Sequence, residues 1–248
     1  MRETQIIIER VRRLSPDLQQ LDLAIDRTLA QIRPGQSLFA SLLEADGWNP
    51  YLREQWIPVD LRPGRLTVEI PAGRIYTPGQ VASVLAPVGE PIPLRANLQH
   101  MLMIAEDALP TPFVQIARTL LGGGVSVTLV LGGKATLYPL ELLSPEIEIL
   151  RSDTDWKWPD QVETLQWADQ VLVLAPTYLQ AEVYGRLYDT ITQLRQHAIP
   201  DAYVCGLYYP RLACGTGACQ ACEVPSRKEP LLACAHGPAI DLKKVLFQ

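Results

Sequence analysis

The chain has 248 residues, 48% of them hydrophobic and 20% charged, as in an ordinary globular protein with room for one large or two small cores. Its net charge of -5 gives no electrostatic footprint for nucleic acid. Every long apolar run is broken by proline, glycine or charge, so no membrane span is expected. Without a signal-peptide pattern, the expected location is the cytoplasm.

Residues 1–97 are predicted to form an antiparallel β-barrel. Short stretches of alternating polar and apolar residues are punctuated by Pro-Gly turns, as at Pro34-Gly35 and Pro78-Gly79. This spacing is typical of small antiparallel barrels. The expected strands lie at 4–10, 19–25, 37–43, within 60–70, and at 81–85.

Residues 98–204 change to a strand–helix alternation. Near-continuous apolar strands are expected at 101–105, 125–131 and 170–175, and helices at 111–121 and 179–197. Apolar strands that alternate with helices predict a doubly wound parallel sheet covered on both faces. The glycine run 122–124 is interpreted as a helix end and tight turn.

Residues 205–248 form a small cysteine-rich segment. Cys214, Cys219, Cys222 and Cys234 have the spacing C-x4-C-x2-C-x11-C. This is the plant-type spacing for four thiolates that hold a [2Fe–2S] cluster. A glycine at 215 and another at 217 suit a loop that bends tightly round an inorganic core. The four cysteines are therefore the predicted metal ligands.

Two other readings of these cysteines stay open. Four cysteines can form a structural zinc site, although such sites usually pair two short knuckles. Disulfides are a second alternative, which the missing secretion signal disfavours. Cys205 lies in an apolar run and is interpreted as a buried, inert thiol rather than a spare ligand. His236, close to Cys234, is expected to form a hydrogen bond near the cluster.

The segment from Cys214 to Cys222, with the later Leu-Leu-Ala-Cys-Ala-His-Gly-Pro stretch, resembles the C-terminus of the dihydroorotate dehydrogenase electron transfer subunit. That family belongs to the ferredoxin reductase superfamily, whose layout is a barrel, an α/β domain and a ferredoxin-like segment. The resemblance implies an FAD-binding barrel, an NAD-binding α/β domain and a partner oxidoreductase subunit, such as a flavin-containing dehydrogenase.

The stretch that corresponds to the family's flavin motif is Gln55, Trp56, Ile57 and Pro58. Gln55 stands where the family has an arginine, and Pro58 stands where it has a hydroxyl. Arg53 would be displaced by about 7 Å along a strand. FAD is therefore expected only through altered contacts at these four residues.

A literal match to the flavin motif occurs later, at Arg74-Ile75-Tyr76-Thr77. It lies only a few residues before a turn that in the family comes tens of residues after the motif. It is interpreted as coincidental.

The expected nicotinamide site also departs from the family. The family places a glycine-rich loop after the first strand of the α/β domain, where backbone N–H groups hold a pyrophosphate. This chain has Glu106 and Asp107 there, followed by Pro110 and Pro112. Carboxylates repel a pyrophosphate and prolines remove N–H donors, so NAD is not expected in the usual mode.

The sequence thus predicts an iron–sulfur electron-transfer subunit that passes electrons between a partner oxidoreductase and a flavin, nicotinamide or other acceptor. The alternative is a relay or scaffold subunit that keeps the cluster but binds neither FAD nor NAD. A zinc-stapled structural protein is a third hypothesis.

Overall fold

The computed structural model describes residues 1–27, 29–43, 53–194 and 198–247. Its first part is a barrel of six strands. These are β1 (Arg2–Arg13), β2 (Leu18–Ala24), β3 (Ser37–Leu42), β4 (Glu54–Arg62), β5 (Arg65–Pro71) and β6 (Val81–Val88). The barrel closes in the order β1-β2-β5-β4-β3-β6, and its strand pairs are antiparallel. The predicted antiparallel barrel is confirmed.

Alternation along the strands fills the barrel interior. In the β2–β5 pair, Leu21 lies opposite Val68 and Leu23 lies opposite Leu66, all of them buried. Their neighbours on the other face are polar, because successive side chains of a strand point to opposite sides. The predicted stretch 60–70 contains the end of β4, a Pro-Gly turn and β5.

The second part is a sheet with helices. It contains β7 (His100–Glu106), α1 (Thr111–Gly122), β8 (Ser126–Gly132), β9 (Glu148–Arg151), α2 (Gln161–Trp167), β10 (Gln170–Leu174), α3 (Gln180–Leu194) and β11 (Val204–Leu207). The C-terminal elements are β12 (Glu223–Val224), β13 (Leu231–Leu232), α4 (Ala233–His236) and β14 (Ala239–Asp241). The sheet order is β14-β11-β10-β7-β8-β9. All of its pairs are parallel except β11–β14.

Each face of this sheet carries its own core. Leu172 and Leu174 of β10 pack with α1 on one face. Val171 and Val173 pack with α2, α3 and the cysteine segment on the other face. The predicted doubly wound sheet is thereby confirmed, and the cysteine segment shares a core with it.

Two elements of the sheet domain were not predicted. β9 has only four residues, and α2 has seven, in a stretch rich in polar residues, so neither shows a clear period. Gly123 ends α1 with its N–H on Leu120 O, and Gly124 has φ +81°, which confirms the predicted helix end and turn. The last three residues of the predicted helix 179–197 lie outside the described residues.

The domain boundaries after residues 97 and 204 remain predictions. The second boundary falls inside β11. Within the described part of the chain, no helix has the length and apolar character needed to cross a membrane.

Candidate metal centre

The cysteine loop follows β11 and lies against the barrel. Gly215 and Gly217 have φ values of +69° and +80°, which side chains with a Cβ rarely adopt. A Cβ on Gly215 would also lie 3.2 Å from the Phe39 ring of β3. Glycine at position 215 therefore allows both the left-handed bend of the loop and its close packing against the barrel.

The structure brings the four cysteines together as two pairs. The β12–β13 hairpin sets Glu223 opposite Leu232, and the N–H of Ala233 donates to the carbonyl of Cys222 at 2.9 Å. As a result, the sulfurs of Cys222 and Cys234 lie 3.2 Å apart.

The second pair is Cys214 with Cys219. The Thr216 hydroxyl and N–H, followed by hydrogen bonds from Cys219, lower the pKa of Cys214 to about 6. The lowered pKa favours the thiolate of Cys214, which is the form that binds metal. Cys219 itself is exposed.

Backbone N–H groups point at the sulfurs. The N–H of Thr216 lies 3.4 Å from Cys214 Sγ, and that of Gly217 lies 3.2 Å from Cys234 Sγ. Burial, followed by the contact with Cys222, raises the pKa of Cys234 to about 12. A metal that binds Cys234 must therefore displace a proton from it, while the Gly217 N–H stabilises the resulting charge.

This donor set fits a binuclear cluster. Four thiols in two pairs, with N–H donors directed at the sulfurs, suit two irons that each take two cysteines. Among the described residues, no group of three or more His, Cys, Asp or Glu side chains surrounds a single point as a lone metal ion requires.

The side chains of Cys205 and His236 contribute to packing and to a backbone hydrogen bond. Cys205 is fully buried in β11, and burial raises the pKa of its thiol to about 12, which agrees with the inert thiol expected there. His236 Nδ1 accepts a hydrogen bond from the N–H of Leu232 at 2.9 Å. It thus secures the end of β13 next to Cys234.

The four residues of the expected flavin stretch point to different sides of β4. Gln55 donates to Ser37 Oγ at 2.8 Å. Trp56 is 1% exposed and packs in the barrel core, and Pro58 is buried beside a bulge. Ile57 is half-buried on the same side as Gln55. Gln55 and Ile57 therefore share one face of β4, and Trp56 and Pro58 share the buried face.

The guanidinium of Arg53 is already engaged. It donates to Ser83 O and Oγ at 2.8 and 3.0 Å, and to Glu3 at 2.6 Å. These contacts hold it against β6 and the start of β1.

The later motif match joins the same end of β4. Arg74 forms an ion pair with Glu54 at 3.2 Å, and the Tyr76 hydroxyl donates to the other Glu54 oxygen. The Tyr76 ring packs edge-on against Trp56, and burial raises its pKa. The Glu54 carboxylate therefore engages both Arg74 and Tyr76.

The edge of the sheet after β7 is acidic. Glu106 is 6% exposed and accepts a hydrogen bond from Ser152 at 2.9 Å, and burial raises its pKa. Asp107 accepts from the Tyr178 hydroxyl at 2.6 Å, which lowers its pKa. The next helix begins after Pro110 and has no side-chain cap.

Sequence reasoning missed a buried carboxylate where the barrel meets α1. Glu69 of β5 is 1% exposed and accepts hydrogen bonds from Gln20, Thr111 and Tyr138 at 2.7–2.8 Å. Burial raises the pKa of Glu69, and this effect outweighs the opposite effect of the three hydrogen-bond donors. Its position in an alternating strand indicated only an outward-facing residue, and the helix that covers it is not visible in the pattern.

Comparisons with solved structures show the fold. A structure reported as an NADH-dependent reduced ferredoxin-NADP oxidoreductase in electron bifurcation has TM-score 0.74 and 19% identity, covering 97% of this chain and 89% of its own. The structure of the ferredoxin reductase in carbazole 1,9a-dioxygenase has a TM-score of 0.60 and 17% sequence identity. The match covers 83% of this chain and 68% of the reductase chain. Phthalate dioxygenase reductase, described as a modular structure for electron transfer from pyridine nucleotides to [2Fe–2S], has TM-score 0.57 and 13% identity, covering 90% and 71%. No curated protein matches.

The chain therefore has a ferredoxin-reductase-like fold. Residues 210–246 match the family model described as the iron–sulfur cluster binding domain of dihydroorotate dehydrogenase B. The predicted resemblance of the C-terminal segment is thereby confirmed, and the match supports a [2Fe–2S] cluster.

Proposed function

We propose that this chain is an iron–sulfur electron-transfer subunit whose [2Fe–2S] cluster is held by Cys214, Cys219, Cys222 and Cys234. The arrangement of the cysteines in two pairs carries this proposal. When bound, such a cluster takes up one electron and passes it on. The subunit would accept one electron from the reduced cofactor of a partner oxidoreductase and give it to an oxidised acceptor.

The surroundings of the cysteines support exchange with a partner. Cys219 is exposed, so one end of the cluster would lie near the surface. Beside Cys222 runs a groove of about 220 Å³ whose lining includes Tyr208, Val224 and Phe247. An apolar surface next to a redox centre is suited to a partner that brings its own cofactor close.

A serine substitution tests the assignment of the ligands. In the protein purified without oxygen, Cys222→Ser is expected to remove most of the bound iron and the reduced cluster's signal in electron paramagnetic resonance. Cys205→Ser is the matched control, because that thiol is buried away from the loop, and it should keep both. A Cys222→Ser protein with full iron and an unchanged signal would exclude the proposed ligand set.

The second candidate is a relay that binds neither FAD nor NAD. The engagement of Arg53 with Glu3 and of Arg74 with Glu54 favours it, because both guanidinium groups near β4 already hold carboxylates. At the sheet edge, Glu106 and Asp107 would repel a pyrophosphate. In this form the barrel and the sheet serve to position the cysteine segment.

Flavin and NADH binding separate the two candidates. The relay is expected to contain no flavin after anaerobic purification, to gain none on incubation with FAD, and to show no bleaching with NADH. Dithionite should still reduce the cluster. One FAD per chain, with bleaching by NADH, would instead establish the flavin-binding subunit and leave the cluster assignment intact.

A further inference from the structure

A cleft of about 540 Å³ lies between the outer face of the barrel and the start of the sheet domain, away from the cysteine segment. Its lining combines β1, β2, β4 and β5 with α1 and residues 141–144, which precede β9. Five arginines and three carboxylates line it: Arg10, Arg12, Arg62, Arg65, Arg118, Asp22, Asp60 and Glu141. The cleft is therefore positive in a chain whose net charge is -5.

Strand register places the charged side chains in rows on one face. Arg10 lies opposite Asp22, which lies opposite Thr67, which in turn lies opposite Asp60. The adjoining row contains Arg65, directly opposite Arg62 across the β4–β5 turn. Like charges directly opposite each other destabilise an antiparallel pair. An anion between them would remove that repulsion.

The carboxylates of the cleft satisfy only part of this positive charge. Asp22 pairs with Arg12 at 3.3 Å, and Asp60 pairs with Arg62 at 2.8 Å and with Arg118 at 3.3 Å. Across the described ranges, Arg10 and Arg65 take part in no ion pair. Two guanidinium groups are thus left without a carboxylate.

The floor of the cleft consists of buried, hydrogen-bonded side chains. Asp22, Thr67 and Gln20 are 4–6% exposed, and the Thr67 hydroxyl donates to Asp22 at 2.8 Å. The Nε of Arg12 is buried, and in the part of the chain that the structure describes it has no hydrogen-bond partner. A buried donor without a partner is costly unless a ligand or water satisfies it.

We propose that this cleft binds a small phosphate-bearing anion. Arginine forks match phosphate oxygens in geometry and charge, and the volume suits a small metabolite. Arg10 and Arg65 supply the free guanidinium groups. Because Arg118 belongs to α1, a bound anion also links the barrel to the sheet domain. The proposal does not depend on the cluster.

The test uses pyrophosphate as the probe on the holoprotein, with potassium chloride to hold the ionic strength constant. Calorimetry is expected to show saturable binding, accompanied by a rise in Tm. The Arg10→Gln/Arg65→Gln variant should bind about a hundredfold more weakly, because it loses two charge-assisted bonds that are each worth about tenfold.

The matched control is Arg13→Gln/Arg151→Gln, which removes the same charge from exposed arginines outside the cleft. It should bind pyrophosphate as the unmodified protein does. If the first double variant does not fold, Arg65→Gln alone serves in its place. Non-saturable binding to the unmodified protein, or equal weakening in both double variants, would overturn the proposal.

Discussion

The sulfur of Cys222 lies 3.2 Å from the sulfur of Cys234, although eleven residues separate them in the sequence. The β12–β13 hairpin closes this distance by pairing Glu223 with Leu232. Two sulfurs on one tetrahedral metal lie about 3.8 Å apart at bond lengths near 2.3 Å. The hairpin therefore presents these two thiols at nearly the separation that one iron needs.

The pairing predicts how the metal-free protein oxidises. Mild oxidation should join Cys214 to Cys219 and Cys222 to Cys234. The first disulfide should form faster, because the lowered pKa of Cys214 supplies a thiolate and Cys219 is exposed. Peptide mapping by mass spectrometry identifies the pairs. Crossed disulfides, such as Cys214 with Cys234, would contradict the arrangement.

The bend of the cysteine loop should depend on Gly215. We expect Gly215→Ala to lower the free energy of unfolding by about 1–2 kcal/mol, the usual cost of a Cβ in the left-handed region. The variant should also lose iron faster to a chelator, because the loop must shift from Phe39.

The control for this substitution is Gly73→Ala, since an added Cβ there meets nothing within 4 Å and its φ is not in the left-handed region. Chemical unfolding and the rate of iron release compare the two variants. Equal behaviour would show that the loop tolerates a Cβ at 215.

The buried Glu69 makes stability depend on pH. Burial raises the pKa of Glu69 above its ordinary value near 4.5, so this group contributes stability at low pH that is lost as pH rises through the raised pKa. Glu69→Gln removes the ionisation and keeps acceptors for Gln20 and Tyr138. We therefore expect the stability of the variant, relative to the unmodified protein, to increase as pH rises from about 4.5.

Urea unfolding of both proteins across this pH range measures the difference. Glu182→Gln, on the exposed side of α3, is the control and should show no comparable trend. If the difference in stability between the unmodified protein and Glu69→Gln stays constant with pH, the ionisation of Glu69 is not coupled to folding.

A hydroxyl on α3 should hold this helix to the sheet. The buried Tyr184 OH donates to Leu207 O at 2.6 Å and accepts from the N–H of Ala175 at 3.2 Å. Tyr184→Phe removes the acceptor of the Ala175 N–H and the shorter of the two side-chain hydrogen bonds to Leu207 O, the other coming from Gln180 at 3.5 Å. We therefore expect a loss of about 1–3 kcal/mol in the free energy of unfolding.

The matched change on the same helix is Tyr188→Phe, whose ring packs against Phe247 at the half-buried surface. It should cost less than about 0.5 kcal/mol, as surface substitutions usually do. If Tyr188→Phe lowers the free energy of unfolding more than Tyr184→Phe does, the Tyr184 hydroxyl does not hold α3 to the sheet.

The larger elements could be predicted because their patterns are strong. Alternation and Pro-Gly turns indicate the barrel strands, and continuous apolar runs indicate β7, β8 and β10. The spacing of the four cysteines marks them as ligand candidates without any structure. These signals are local, so the sequence displays them directly.

Features that depend on long-range packing could not be predicted. Nothing in the sequence pairs Cys222 with Cys234 rather than with Cys214, because the pairing comes from a hairpin of two-residue strands. Glu69 looks like a solvent-facing strand residue until α1 covers it. The engagement of Arg53 with Ser83 and Glu3 likewise follows from the closure of the barrel by β6.

The metal and sulfide content per chain decides whether the four cysteines hold a [2Fe–2S] cluster. The protein is purified without oxygen, and iron, zinc and acid-labile sulfide are measured on the same sample. The two pairs of cysteines predict about two irons and about two sulfides per chain, with little zinc. One zinc per chain without sulfide, or the lack of any metal, would exclude the cluster.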